Sequence, residues 1–491
     1  MKRKFVSNLI LVLVLNFIIK PFYILGIDAE ILKITELNNA GTYGTYFSLL
    51  SLSFVFNIFL DLGINNYNTR NIARDNNKIH RELNGNLSLK LALSFFYLLL
   101  LFTVGIIFSY NWYEIKWLTV IGFNQILVAL ILFMRSNLSA LFLLKEDSFI
   151  SVLDRVILIL FCGYFLWAGT TNTLITIEFF ILSQTLAYTL TLIICIAILK
   201  NKIHEFKLHW NIPFFKSTIQ KSLPYALLIF LMSIYYYSDV VMIERMKNNY
   251  EAVSYAHGYR FFMAFNMVGY LFAGLLLPVF SKMIKEGNNV SPITWLSFRL
   301  IFLIAILICA SIWPIKDELL FWRYEIIGDN LLHSSRTFGW LLLSFIAISC
   351  NYIFGTLLTA NGSLKQLNIM AFTGVFINLF LNMILIPEYG SEGAAFASLI
   401  TQLFTLFSQI IISYRQFHFQ LFHVGGIQLL AFIILTCLTS YTIHYLNLFS
   451  TIWYINIITT LIVGGVFSLI LRLVSIKDIF KLVKSHQNEL I

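Results

Sequence analysis

The sequence predicts an all-α integral membrane protein with about fourteen transmembrane helices, grouped as two six-helix lobes around a central cavity with two extra C-terminal helices. The composition, the spacing of the apolar runs and the one-sided distribution of Lys and Arg carry that expectation. The chain has 491 residues, 59% hydrophobic and only 12% charged. Soluble domains average about 25% charged, and so few charges cannot cover a water-facing surface of this size. A span takes about 20 apolar residues, so fourteen use about 280 residues, or roughly 57% of the chain, close to the hydrophobic fraction. A soluble enzyme, a secreted disulfide scaffold, a disordered chain and a single-pass anchor on a large soluble domain are excluded.

Met1-Lys-Arg-Lys4 leads directly into an apolar run with no small-residue cleavage site, so that run is expected to stay as the first span. The apolar runs place spans near 6–27, 41–63, 87–109, 117–143, 149–168, 174–199 and 222–243, then 253–280, 293–313, 338–360, 366–386, 393–413, 425–445 and 451–473. Only Pro387-Glu-Tyr-Gly-Ser-Glu392 separates spans eleven and twelve. The expected organisation is an N-lobe over 1–199, a cytoplasmic linker over 200–221, a C-lobe over 222–413, and spans thirteen and fourteen with a tail over 414–491. A faint repeat relates the lobes: Ala40-Gly-Thr-Tyr43-Gly-Thr-Tyr46 opens span two and Val253-Ser-Tyr255-Ala-His-Gly-Tyr259 opens span eight, which makes the repeat parallel. The five cysteines, Cys162, Cys195, Cys309, Cys350 and Cys437, all lie in apolar stretches without metal-ligand spacing and read as free thiols.

The net charge of +10 reads as Lys- and Arg-rich cytoplasmic loops, not as a nucleic-acid surface. With the N-terminus inside, cytoplasmic segments hold 21 Lys and Arg and outer loops hold seven. Both termini are therefore expected in the cytoplasm, as an even number of spans requires.

Ionisable residues inside spans carry the functional information. A central Arg or Lys costs about 2.5–3.5 kcal/mol on the insertion scale, so such groups face water or a partner. Lys20 lies on a stripe with Asn16 and Tyr23, and Pro21 is expected to bend or break the helix beside it. It reads either as a cation lining the cavity at a hinge or as a side chain snorkelling to the outer interface. Arg135 shares a face of span four with Asn124, and Arg260 follows Tyr259 on an aromatic stripe of span eight. Both arginines read as cavity cations or as internal ion pairs that fix helix packing. Arg155 and Arg299, near cytoplasmic ends, read as snorkelling. Asp61 is expected to pair with Arg70 or Arg74, and Asn378 and Asn382 to hydrogen-bond between helices. Asp239 and Asp61 are the candidates for coupling to H⁺ or Na⁺, with Pro21 and Pro224 as bend points. No other cofactor, no metal and no nucleic acid is expected. The deepest ionisable groups, Lys20, Arg135 and Arg260, are all cationic, which favours an anionic passenger such as a phosphate-bearing headgroup.

Enzymatic motifs are poor. There is no P-loop, HExxH or GxSxG. Asp28-Ala-Glu30 resembles the acidic pair of membrane glycosyltransferases that use lipid-linked donors, but sits in an outer loop of about thirteen residues.

Three patterns point to a family. Gly41-Thr-Tyr-Gly44 leads to Asp61-Leu-Gly-Ile64 and Arg70-Asn-Ile-Ala73. Ser222-Leu-Pro224 opens span seven and is followed by Asp239, Tyr255 and Arg260. Asn378-Leu-Phe-Leu-Asn382 precedes Ile386-Pro-Glu-Tyr-Gly390 and Gly393-Ala-Ala395. In order and spacing, over about residues 1–415, these resemble the Wzx-type polysaccharide-unit flippases (O-antigen transporters) of the multidrug/oligosaccharidyl-lipid/polysaccharide (MOP) exporter superfamily. The resemblance implies two six-helix lobes around a V-shaped cavity, alternating access, and a home in the bacterial inner membrane. It also implies an undecaprenyl-diphosphate-linked oligosaccharide as passenger, surrounding lipids, and other polysaccharide-assembly membrane proteins as partners. A cation-coupled drug or metabolite antiporter of the same superfamily remains as an alternative, as does a polytopic glycosyltransferase or polymerase.

Overall fold

The computed structural model describes residues 14–65, 68, 72, 79–141, 143–168, 175–200, 208–418, 426–445 and 453–473. Among the described residues the regular structure is entirely helical. We number the helices in chain order. The first, α1, runs over 14–38 and is α-helical except for a π-helical turn at Tyr23–Asp28. Next come α2 (Thr42–Val55, continued by a 3₁₀ turn at Asn57–Leu60), α3 (Ile79–Ile107), α4 (Trp112–Ala140), α5 (Leu144–Trp167) and α6 (Ile177–Lys200). They are followed by α7 (Ile212–Met246), α8 (Asn249–Lys285), α9 (Ser291–Ile312) and the short α10 (Lys316–Tyr324). The last four are α11 (Gly328–Ala360), α12 (Leu364–Phe417), α13 (Gly426–Tyr445) and α14 (Trp453–Ile470). Eleven of these helices are long and apolar enough to cross a membrane. With α1, α2 and the second half of α12, the fourteen expected spans are present.

Local chemistry sets the boundaries. Asn111 caps α4 in a reciprocal box: its side chain accepts the Glu114 N–H at 2.9 Å and its own N–H donates to the Glu114 carboxylate at 2.8 Å. Asn211 caps α7 through the Phe214 N–H at 3.0 Å, with Pro213 in the first turn. Apolarity alone starts span seven at 222, so it misses the polar first turns of α7. Within α12, Pro387 and Gly390 (φ 57°, ψ −131°) break the helix into two spans. A β-carbon on Gly393 would lie 2.6 Å from the Leu385 carbonyl oxygen, so the two halves meet without room for a side chain. Glu36 caps α2 from the preceding helix, its carboxylate accepting the Gly41 and Tyr43 N–H groups at 2.7 Å each. Glu36→Ala is therefore expected to lower stability by about 1–2 kcal/mol, read as a lower melting temperature in detergent.

By packing, the chain divides after Val253 into two compact units, residues 3–253 and 254–491. Lipid tails are as apolar as leucine, so each unit depends on close packing and interhelical hydrogen bonds. In the first unit the apolar core gathers Leu83, Leu127, Phe133, Met134, Leu138 and Tyr188 from α3, α4 and α6. Beside it Asn68 donates to Asn137 at 3.0 Å and Asn86 donates to Asn68 at 3.1 Å. Helix α2 packs on α7, and it meets the start of α8 at a small residue: a β-carbon on Gly44 would sit 2.1 Å from the Asn249 carbonyl oxygen.

In the second unit α11 is the central helix, with 78% of its most apolar window buried against 11% for α14. Phe280, Ile301, Phe354 and Leu357 pack α8, α9 and α11 together, and Asn351 donates to the Gln402 side chain at 3.0 Å. Helices α13 and α14 pack against each other and on α9 at the margin of this unit. On α12, Phe372, Phe376, Phe380 and Ile384 form an exposed stripe at four-residue spacing, opposite buried Asn378 and Asn382. That pattern belongs to a helix with one face to lipid and one to protein. Asn378 and Asn382 also bond to one another along the helix at 3.3 Å.

Candidate functional site

The stripe Asn16–Lys20–Tyr23 on α1 faces α5. Asn16 is buried and donates to the Ser151 hydroxyl at 3.0 Å. One turn on, the half-buried Lys20 lies within Coulombic reach of Arg155, Asp154 and Arg135. The Arg155 guanidinium carbon stands 4.6 Å from the centre of the Tyr23 ring and 5.8 Å from that of Tyr188. Arg155 also donates to the Tyr188 hydroxyl at 3.1 Å and lies 3.7 Å from the Asp154 carboxylate. Two aromatic faces, one phenol and one carboxylate hold this arginine in a single pose. Arg135 on α4 is paired to Asp147 on α5 at 2.7 Å, with 23% of its side chain exposed. Among the described residues, three helices thus bring three cations together with the carboxylates of Asp147 and Asp154, and Asp28 lies within Coulombic reach of the two tyrosine rings.

Pro21 does not break α1. The helix continues, and the π-helical turn that starts at Tyr23 takes up the disturbance from the missing N–H. The same turn carries Asp28, which is buried and accepts the Tyr43 hydroxyl at 2.7 Å, while Gln184 donates to the Tyr46 hydroxyl at 2.9 Å. Asp28 therefore ties α1 to α2 by a tyrosine bond.

The remaining candidates are spread through both units. Asn124 is buried and fully used between helices, donating to the Ile181 carbonyl at 3.1 Å and accepting from Thr185 at 2.7 Å. Asp61 meets Lys90 of α3 at 2.7 Å, and Lys90 also donates to the Leu60 carbonyl at 3.1 Å. The expected partners Arg70 and Arg74 lie outside the described residues. Pro224 lies inside α7, since that helix starts at Ile212. Asp239 is buried on the same helix. Tyr259 and Arg260 are buried in the second unit; the Tyr259 ring sits 5.5 Å from Tyr255 and 5.6 Å from Phe262. The first unit has its own tyrosine pair at the corresponding motif, Tyr43 and Tyr46, 5.4 Å apart.

Arg155 is the residue that sequence reading underrated. Starting the fifth span at 149 put it near a helix end, but α5 starts at Leu144, so it lies about three turns in. Tyr23, three residues after Lys20, and the adjacent Asp154 were the signals available.

Residues 32–284 match the family described as polysaccharide biosynthesis protein. The chain belongs to that family. By sequence, no curated protein matches it. Solved structures similar to this polysaccharide biosynthesis protein include the lipid II flippase MurJ in its inward closed conformation, at 15% identity and a TM-score of 0.68, covering 96% of this chain and 99% of that one. A multidrug resistance MATE family transporter of the MOP superfamily, in its inward-facing conformation, is similar at 12% identity and a TM-score of 0.63, covering 79% and 93%. A MOP superfamily transporter from Pyrococcus furiosus is similar at 12% identity and a TM-score of 0.60, covering 84% and 95%. At these identities the likeness is one of fold, and it agrees with the multi-pass architecture expected from the sequence.

Proposed function

We propose that this polysaccharide biosynthesis protein is a flippase that moves undecaprenyl-diphosphate-linked oligosaccharide units across the bacterial inner membrane by alternating access. The observation that carries the reading is the gathering of Lys20, Arg135 and Arg155 from α1, α4 and α5. A diphosphate presents oxygens that guanidinium and ammonium groups bind through short charge-assisted hydrogen bonds. Arg155 is already fixed between two tyrosine rings, so little side-chain entropy is lost when it takes a phosphate oxygen. Membership of the polysaccharide biosynthesis family and a fold like that of a lipid II flippase support the same passenger class. Three basic side chains so close together suit an anionic cargo better than an organic cation. Asp239 and Asp61 are the candidates for coupling to H⁺ or Na⁺; Lys90 engages Asp61.

The test is twofold. Lys20→Ala, Arg135→Ala and Arg155→Ala, each at wild-type protein level, are expected to cut surface polysaccharide about tenfold, the equivalent of about 1.4 kcal/mol of lost interaction. Deleting the gene is expected to strand lipid-linked units in the cytoplasmic leaflet. Wild-type output from all three variants, or efflux of an organic cation instead, would sink the reading.

A further inference from the structure

The cation cluster accounts for a phosphate and leaves the sugars without a site. The first unit contains a concavity of about 490 Å³ at the end where α1 meets α2, α3 meets α4 and α7 meets α8. Its volume lies within the about 300–1,000 Å³ common for small-ligand pockets. The lining is chemically unlike the cluster. Asparagine and threonine side chains, including Asn38 and Asn111, alternate with Tyr113, Trp117 and the carboxylates Glu114 and Glu178. No lysine, arginine or histidine lines it among the described residues.

Two features suit a ligand rather than packing. Trp117 is 8% exposed, yet its Nε1–H finds no acceptor among the described residues. A buried indole N–H ordinarily has a partner, and none of the described residues supplies one to Trp117. Tyr113 is 55% exposed and its ring lies 5.0 Å from that of Trp117, while its hydroxyl donates to Glu178. An aromatic face held by a carboxylate, beside amides and a spare donor, is the combination that binds a hydroxyl-bearing ring. The apolar face of a sugar stacks on the aromatic side chain, and its hydroxyl groups exchange hydrogen bonds with amide and carboxylate.

We infer that this pocket binds the saccharide part of the passenger, in neutral or amino-bearing form, while the cation cluster handles its diphosphate. The two carboxylates and the lack of basic groups make the pocket unfavourable for a phosphate. By the distribution of Lys and Arg along the chain, the pocket opens on the non-cytoplasmic side, where it would receive the glycan after transfer. The inference rests on the proposed function for the identity of the sugar.

The experiment uses the full chain in lipid nanodiscs. The probe is the lipid-free, phosphate-free oligosaccharide released by mild acid from the lipid-linked pool of the source cells. Isothermal titration is expected to show saturable binding that weakens about tenfold in Trp117→Phe, which keeps an aromatic ring but loses the N–H and the rest of the indole. The exposed Tyr113→Ala should weaken it comparably without affecting folding. Inorganic pyrophosphate should leave it unchanged. Absence of binding, or binding that pyrophosphate displaces and both variants retain, overturns the inference. The leaflet assay on the deletion strain judges the flippase reading separately, so stranded units together with no glycan binding would remove this pocket alone.

Discussion

Asp61→Asn is expected to destabilise the protein by about 3–5 kcal/mol, whereas Lys90→Met is expected to cost distinctly less. The asymmetry follows from burial: Lys90 is 1% exposed and Asp61 26%. Without its carboxylate partner at 2.7 Å, the ammonium keeps only the Leu60 carbonyl at 3.1 Å and the Phe133 ring, whose centre lies 5.5 Å away. Those neighbours cannot replace a hydration shell. Without Lys90, by contrast, the carboxylate can still reach water. The double change Asp61→Asn with Lys90→Met should recover most of the loss, because no charge is then left buried. Thermal unfolding in detergent followed by size-exclusion fluorescence measures all three. Equal melting temperatures for the two single variants would contradict the burial argument.

Gly44→Ala is expected to be nearly as damaging, at about 3 kcal/mol, the upper part of the range for overpacking. The added carbon would lie 2.1 Å from a backbone oxygen, that of Asn249, and 3.1 Å from a Val253 methyl group. A backbone carbonyl cannot rotate away as a side chain can, so α2 would have to separate from the start of α8. Gly274→Ala in α8 is the natural control, because a β-carbon there meets nothing within 4 Å. On helix propensity that change should be neutral or stabilise by up to about 1 kcal/mol. Melting temperatures of the two variants, compared side by side, check both statements.

The spans were legible because a membrane imposes one length and one composition on every crossing. Where helices pass beyond the bilayer, that signal ends. The polar first turns of α7 carry Lys216 and Lys221 and fail any apolarity criterion, although Asn211 and Pro213 mark the start clearly by capping chemistry. The Asn16–Lys20–Tyr23 stripe was readable because helical spacing alone puts the three on one face. What that face meets was not readable: Arg155 is 135 residues from Lys20 along the chain, and only packing brings α5 to α1. The Asp61–Lys90 pair was missed for a related reason. Two arginines close in sequence offered a nearby partner, so the lysine on the next helix, which the structure places at 2.7 Å, was not weighed. The pocket beside Trp117 has no sequence signature, since its walls come from the ends of different helices and the turns between them.

The π-helical turn in α1 gives the first helix a mechanical property. It stores one surplus residue between Lys20 and the Asp28–Tyr43 anchor. Each residue of an α-helix advances the chain by about 100° around its axis, so rewinding that turn into regular α-helix would rotate everything before it by about that angle. Asn16 and Lys20 would leave α5 together, without any bend in the backbone and without a change at the anchored end. A hand of positive charge could in this way be offered or withdrawn by a twist of one segment, the way a key turns a bolt while the lock plate stays fixed.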